Sequence, residues 1–309
     1  MSALPSLRQL SYLVTLAETL HFTEAAKRSF VTQSTLSGGI IELERVLGGA
    51  LVERSRQTVR LTPLGEQVVQ RARLMLADAG DLLKLSRELG EPLTGDLILG
   101  VIPTIAPFVL AKLLAAVRSL YPKLNLRIHE AQSQSLVQSL ESGELDMGLL
   151  ALPFATENLQ VTALQTEALL LVCHRDYPLA KKSNQRVSDL PLQQLLLLEE
   201  GHCLREHALS ACTLGDRANL GDITATSLPT LVEMVAAQLG FTLLPQMAVD
   251  SGFLQGYPHL ICQPLQTPPT RTLALLTRKS TTQQAELAAL AAVVQSLASE
   301  VKGLNFLSA

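Results

Sequence analysis

The sequence predicts an α/β protein with a small helical head. Three observations predict it: helix-spaced apolar residues through the first 47 positions, an uninterrupted helical pattern from Thr62 to about Gly90, and strands alternating with helices from Leu97 onward. At 309 residues the chain exceeds what one ordinary core serves, so two or three domains are expected. The changes of pattern place them at 1–61, 62–92 and 93–309.

In the head, Leu7, Leu10, Leu13, Val14 and Leu16 recur at helical spacing. A second helix fits 23–28 with Thr23 as its N-cap, and Thr32 is the expected cap of a third, 33–47, that stops at Gly48. The apolar face of this third helix is Leu36, Ile40, Leu43 and Leu47. Gly38 and Gly39 lie inside it, each at a cost of about 1 kcal/mol relative to alanine. Close backbone approach or crowding against a neighbouring helix would explain them. Residues 51–61 read as two short strands around 55–58, rich in arginine (Arg54, Arg56, Arg60), and so as a wing.

Thr62 before Pro63 is a strong helix start. From there Val68, Ala72, Met75, Ala79, Leu82, Ser86 and Leu89 alternate spacings of four and three, a coiled-coil-type seam on a helix roughly 43 Å long. The seam is read as a dimerisation surface because Gly90, Pro92 and Gly95 separate it from the strand pattern beyond. The alternative is a long helix packed on its own domain, and Gly80 weakens the seam.

Beyond the break, strands are expected at 97–102, 124–129, 145–150, 168–174, 195–198, 241–244 and 273–276. Helices fit from the end of the first strand to about Tyr121 and over 133–142, 228–238 and 283–302. The alternation predicts parallel sheets in two lobes, with ligands held at strand carboxyl ends or between the lobes.

Hydrophobic residues make up 47% and charged residues 17%, which argues against disorder and against a small disulfide-stapled scaffold. The first ten residues carry no basic segment leading into an apolar run, and no stretch reaches the roughly 18 apolar residues of a membrane span. A cytoplasmic location with no membrane partner is expected. There the four cysteines (Cys173, Cys203, Cys212, Cys262) would rest reduced, and any disulfide would be transient. The net charge of −3 is unevenly spread: residues 1–65 hold seven Lys/Arg against five Glu, a local +2 that leaves −5 on the remainder. A small DNA-binding head on an acidic body fits this distribution.

Phe22-Thr23-Glu24-Ala25-Ala26, Thr32-Gln33-Ser34-Thr35-Leu36-Ser37, Leu43-Glu44, Leu47-Gly48, Leu51-Val52-Glu53-Arg54 and Leu61-Thr62-Pro63-Leu64-Gly65 occur in order with helix breaks between them. This run closely resembles the LysR-type transcription regulators. The resemblance implies a winged helix-turn-helix DNA-binding domain, a linker helix that dimerises, and a two-lobed periplasmic-binding-protein-like α/β regulatory domain. Thr32, Gln33, Ser34, Thr35 and Ser37 are then the base-reading or phosphate-reading residues, with Gln33 suited to bidentate pairing with adenine, and Arg54 and Arg56 contact the backbone or minor groove. Val52 departs from the family's usual phenylalanine. Expected partners are double-stranded promoter DNA, further copies of the chain as homodimer and homotetramer, and RNA polymerase.

The segment Gly201-His202-Cys203-Leu204-Arg205-Glu206-His207-Ala208-Leu209-Ser210-Ala211-Cys212 resembles the redox segment of the peroxide-responsive OxyR branch of that family. So do Ile102-Pro103-Thr104, His129-Glu130-Ala131-Gln132, Ala225-Thr226-Ser227-Leu228 and Gly240-Phe241-Thr242-Leu243-Leu244-Pro245. The resemblance implies a peroxidatic Cys203, oxidised by hydrogen peroxide to a sulfenic acid, and a resolving Cys212 that closes a disulfide, with a thiol reductant for reset. Thr104, His129, Ser133, His202, Arg205, Thr226 and Arg271 are the expected pocket residues, and no cofactor or metal is implied. Serine stands at 133 where threonine is expected.

Cation-assisted thiolate formation favours Cys203, with Arg205 and His202 close in sequence, although Glu199, Glu200 and Glu206 would oppose it if near. If 203–212 is largely helical, its ends lie about 13 Å apart, against the roughly 7 Å that a disulfide tolerates. Oxidation would then unwind the segment.

Plainer readings remain open. Buried cysteines are often inert, and Cys173 and Cys262, among apolar neighbours, read as structural. Cys203 and Cys212 could bind zinc with His202 and His207, but their spacing is no recognised ligand pattern. The cleft could bind a small metabolite. A thiol peroxidase would need continuous reductant, and no Cys-x-x-Cys or cofactor fingerprint supports one, so the chain is expected not to be an enzyme.

Overall fold

The computed structural model describes residues 4–54, 59–85, 93–182, 184–211, 224–299 and 305–306. The chain forms two compact units, one built on residues up to 90 and the other on the bulk of those after it.

The first unit opens with α1 (Leu7–Thr19), entered through a capping box between Ser6 and Gln9. Helix α2 (Phe22–Arg28) begins earlier than its threonine suggests. His21 is the N-cap, its Nδ1 accepting the Glu24 amide at 3.3 Å, which frees the Thr23 hydroxyl to donate to Gln33 Oε1 at 3.0 Å. Thr32 caps α3 (Gln33–Leu47) as expected, and Gly48 ends it in the left-handed region at φ 72°. Leu10, Leu13, Leu16, Leu36, Ile40 and Leu43 close the core of this unit.

The wing is an antiparallel pair, β1 (Val52–Arg54) and β2 (Val59–Leu61), with Arg54 opposite Val59. Val52, the departure from the family pattern, is buried in the core of the head. Thr62 Oγ1 then accepts the Gly65 amide at 2.9 Å and starts α4 (Pro63–Leu85). Gly65 permits this corner, since a Cβ there would meet the Leu51 carbonyl oxygen at 2.1 Å. Along α4 the expected seam divides. Ala72 is buried in the core of its own unit, whereas Met75 and Leu82 are 50% and 66% exposed. Own-domain packing therefore takes Ala72 and leaves Met75 and Leu82 exposed, while Ser86 and Leu89 of the expected seam lie outside the described residues.

The second unit runs β3 (Gly95–Val101), α5 (Ala106–Leu120), β4 (Leu124–Glu130), α6 (Ser133–Glu141), β5 (Met147–Leu152) and β6 (Leu159–His174). After three short 3₁₀ turns come β7 (Leu197–Leu198), α7 (Cys203–Ala211), β8 (Thr224–Ala225), α8 (Leu228–Ala236), β9 (Phe241–Pro245) and α9 (Gln246–Asp250). The chain then adds β10 (Leu260–Gln263), β11 (Thr270–Arg278), α10 (Gln284–Ser299) and β12 (Asn305–Phe306). The main sheet has the order β10-β6-β11-β5-β3-β4, with β9 and β12 also paired to β6.

The expectation of purely parallel sheets is corrected. Strand β3 pairs parallel with β4 and β5, but β11 returns from the second lobe in the reverse direction and meets both β5 and β6 antiparallel. The expected strand at 168–174 is the second half of the 16-residue β6, which serves both lobes. Two cores result. One lies around β3, β5, α5, α6 and α10, and the other around the end of β6, β9, α7 and α8. Cys203 belongs to the first core while Leu204, Ala208 and Leu209 pack in the second, so α7 begins where the two cores meet.

Candidate redox site and nucleic-acid interface

The carboxyl ends of β3, β4 and β5 lead into the segments that carry Thr104, Ser133 and the Leu152-Pro153 bend, which is where an open α/β sheet holds a ligand. Thr104 lies on the turn before α5, Ser133 is the first residue of α6, and Cys203 is the first residue of α7. Arg271 enters from β11, directly opposite Glu167 of β6. Thr104, Ser133, Cys203 and Arg271 are each 1% exposed, so the site is closed to bulk solvent in this conformation.

A buried guanidinium needs a counter-charge and partners for its N–H groups. Glu167 supplies the charge: its Oε1 accepts from Arg271 Nε at 2.8 Å and lies 2.8 Å from Nη2, while its Oε2 accepts the Met247 amide at 2.8 Å. Thr104 accepts from Nη1 at its hydroxyl (2.9 Å) and from Nη2 at its carbonyl (3.1 Å). Opposite charges facing each other across an antiparallel pair fix the register of the site.

Burial dominates at Cys203 and pushes its thiol above the ordinary range. Arg271, the Ser133 hydroxyl and the backbone amides of Ala151 and Leu204 act the other way. The Ser133 hydroxyl is near enough to favour the thiolate but makes no hydrogen bond of regular geometry. The resting sulfur is thus a protonated thiol surrounded by groups that would stabilise its anion.

Two histidines complete the enclosure. His202 Nε2 lies 3.1 Å from Gln132 Nε2, and since an amide nitrogen only donates, this imidazole nitrogen accepts. His207 Nε2 lies 2.9 Å from the Pro153 carbonyl and therefore carries the proton, which leaves Nδ1 as an acceptor. That Nδ1 is buried without a partner. Burial, reinforced by Arg271, lowers the His207 pKa to about 4, against the opposing pull of the Pro153 carbonyl.

Several expected pocket residues are placed elsewhere. Arg205 donates from Nη1 to the Leu198 carbonyl at 3.0 Å, because two residues along a helix point to different faces; Arg271 is the cation that acts on the thiol. His129 is exposed near the end of β4, on an alternation that turns it to solvent. Thr226 is exposed on the short turn between β8 and α8. Glu167 is absent from the expected pocket, although an acid heading the apolar run 168–174 was its signal. Among the described residues no group of three His, Cys, Asp or Glu side chains is arranged to hold a metal.

Cys212 lies outside the described residues. Over Cys203–Ala211 the helix rises about 12 Å.

In the head, Gln33, Ser34 and Thr35 are exposed at the N-terminus of α3, and Ser37 is half-buried one turn on. Thr32 Oγ1 caps the helix by accepting the Thr35 amide and sits within 2.9 Å of the Ser34 and Thr35 hydroxyls. The bond from Thr23 holds the Gln33 carboxamide in one orientation at the helix tip. Arg54 ends β1, and Arg56 lies outside the described residues.

A helix-turn-helix head with a wing, joined to a two-lobed α/β domain enclosing a polar site, defines a DNA-binding transcription regulator. Residues 7–66 match the family described as bacterial regulatory helix-turn-helix protein, lysR family, and residues 90–299 match the LysR substrate binding domain. The chain belongs to the LysR family, and within it to the OxyR-like regulators. It is 62% identical over 286 residues to the HTH-type transcriptional regulator EstR of Acinetobacter baylyi, covering 93% of this chain and 95% of that one. The hydrogen peroxide-inducible genes activator of Dickeya chrysanthemi is 39% identical over 274 residues, 88% of this chain and 89% of its own. A full-length OxyR variant from Pseudomonas aeruginosa matches with a TM-score of 0.81 at 33% identity, covering 99% of this chain and 100% of that one.

Proposed function

We propose that this regulator senses hydrogen peroxide through Cys203 and acts as a transcription activator, not as an enzyme. The observation that carries the reading is a cysteine at the first turn of a helix, enclosed with Arg271, Thr104 and Ser133, with hydrogen-bonding capacity left unused at Ser133 Oγ and His207 Nδ1. Leaving buried polar atoms unpaired costs free energy, and a small guest with donors and acceptors on adjacent atoms would satisfy them. Hydrogen peroxide is such a guest. The name of the Dickeya relative supports the same signal.

In the proposed step the Cys203 sulfur attacks one peroxide oxygen. The S–O bond forms, the O–O bond breaks, the sulfur is oxidised to a sulfenic acid and the second oxygen leaves as water. Condensation with the Cys212 thiol then releases a second water and forms the disulfide, which a cellular thiol reductant reverses. The exposed Met75 and Leu82 of α4 and the family relationship support a dimer assembling into a homotetramer, with promoter DNA and RNA polymerase as its partners in activation.

The test is thiol mapping by mass spectrometry after sub-stoichiometric peroxide, paired with footprinting on promoter DNA. A Cys203–Cys212 disulfide together with a shifted footprint is the expected result, and Cys203→Ser should abolish both. A peroxide-dependent footprint that survives in Cys203→Ser would sink the reading. A small metabolite that shifts the footprint of the Cys203→Ser, Cys212→Ser double variant would replace it with a ligand-binding cleft.

A further inference from the structure

The resting Cys203 is a thiol, so its proton must leave as the sulfur attacks, and the departing peroxide oxygen must gain one. Few atoms nearby can carry it. Arg271 has no acceptor. Both carboxylate oxygens of Glu167 are engaged, one by Arg271 and the other by the Met247 amide. The accepting nitrogen of His202 is taken by Gln132, and the Thr104 hydroxyl already accepts from Arg271. Ser133 is a hydroxyl, far too weak a base.

His207 differs from all of these. It stands four residues beyond Cys203 on α7, which places the two side chains one above the other on a single helix face. Helical side chains lean toward the N-terminus, here toward the cysteine. Its ring is 3% exposed, Nε2–H is committed to the Pro153 carbonyl, and the lone pair of Nδ1 has no hydrogen-bond partner, the Cys203 sulfur included, which leaves it to a guest bound between the two side chains. The Pro153 carbonyl fixes both the tautomer and the ring orientation, as an orienting acceptor does for a catalytic imidazole.

We propose that His207 is the proton carrier of the redox site: with peroxide seated between the two side chains, the Cys203 thiol proton passes by way of that bridge to Nδ1 as sulfur attacks, and Nδ1 returns it to the departing oxygen. The sum is one thiol and one hydrogen peroxide giving one sulfenic acid and one water, with His207 neutral before and after. Sulfur is oxidised, peroxide oxygen is reduced, and no further reactant enters. The transient imidazolium keeps its Nε2–H bond to Pro153, while nearby Arg271 disfavours the extra charge and drives the proton onward. The inference rests on the peroxide-sensing reading of Cys203.

The experiment measures the rate of Cys203 sulfenic acid formation against peroxide concentration, in water and in deuterium oxide, for the full chain and for His207→Gln. Glutamine keeps an amide N–H for the Pro153 carbonyl but has no basic nitrogen. The expected result is a second-order rate about a hundredfold lower, the scale of one general acid–base group, with the solvent isotope effect altered. An unchanged rate and isotope effect in folded His207→Gln overturns the proposal while leaving Cys203 as the sensor. If Cys203 of the unaltered chain does not oxidise at all, the sensing reading fails and this proposal with it. Should His207→Gln not fold, His207→Asn serves. Its amide oxygen occupies the Nδ1 position as an acceptor that cannot be protonated, so it should remain slow, and a rate equal to that of the unaltered chain overturns the proposal.

Discussion

At Arg271 and His207 the same buried volume holds one side chain that cannot lose its charge and one that cannot easily gain it. Arg271 is satisfied by Glu167 and Thr104. His207 answers by staying neutral, with its pKa lowered from 6.5 to about 4. Folding stability must then depend on pH. Between about pH 6.5 and 4 the unfolded chain binds a proton at His207 that the folded chain does not, so stability falls as pH falls through that window and is fully present above 6.5. The shift corresponds to about 3 kcal/mol once both forms are protonated. Urea unfolding at pH 7 and at pH 4.5 should show His207→Gln losing less stability between the two than the unaltered chain; equal losses would contradict a neutral buried imidazole. Thr104, Ser133, His202 and Arg271, expected together from motif resemblance, are buried around the start of α7. Arg205, His129 and Thr226 were misplaced because short blocks of sequence do not show which way a side chain turns, and the role of Arg271's partner Glu167 emerges only when β6 and β11 are paired.

At the scale of single elements, α3 tests how local propensity and packing compete. Its two adjacent glycines look alike in sequence and differ in surroundings: a Cβ on Gly38 meets nothing within 4 Å, while one on Gly39 meets Tyr12 Cδ2 at 2.7 Å. Crowding against α1 therefore explains Gly39, and nothing in the structure explains Gly38. Gly38→Ala should raise stability by about 1 kcal/mol through helix propensity. Gly39→Ala should lower it, because overpacking of about 1–3 kcal/mol against a buried ring outweighs that gain. Thermal unfolding of the two variants decides this, and a shift of the same sign in both would refute the packing account. The caps of α3 and α4 were readable because Thr32 and Thr62-Pro63 act locally. The start of α2 was not, because an imidazole replaced the usual hydroxyl, and the first half of β6 was hidden by Gln160, Thr162, Gln165 and Thr166, whose alternation with apolar residues is broken at Leu164-Gln165.

At the scale of the whole molecule, the position of α7 connects chemistry at one atom to the packing of two cores. Cys203 lies in the first core, but Leu204, Ala208 and Leu209 anchor the rest of the helix in the second. The helix Cys203–Ala211 rises about 12 Å, more than the roughly 7 Å that a disulfide tolerates, so the proposed bond between Cys203 and Cys212 would have to unwind α7 and withdraw some of these anchors from the second core. Each buried leucine contributes about 1.5–3 kcal/mol, so under the proposed redox reading the packed helix and the disulfide-bonded form would be alternatives. Hydrogen–deuterium exchange should therefore show amides of 204–211 losing protection after one equivalent of peroxide and regaining it on reduction, with no change in Cys203→Ser. Protection that persists through 204–211 in a form proved by mass to contain the Cys203–Cys212 disulfide would mean that the helix survives the bond. The route from sulfur to the second core would then have to lie elsewhere than in α7.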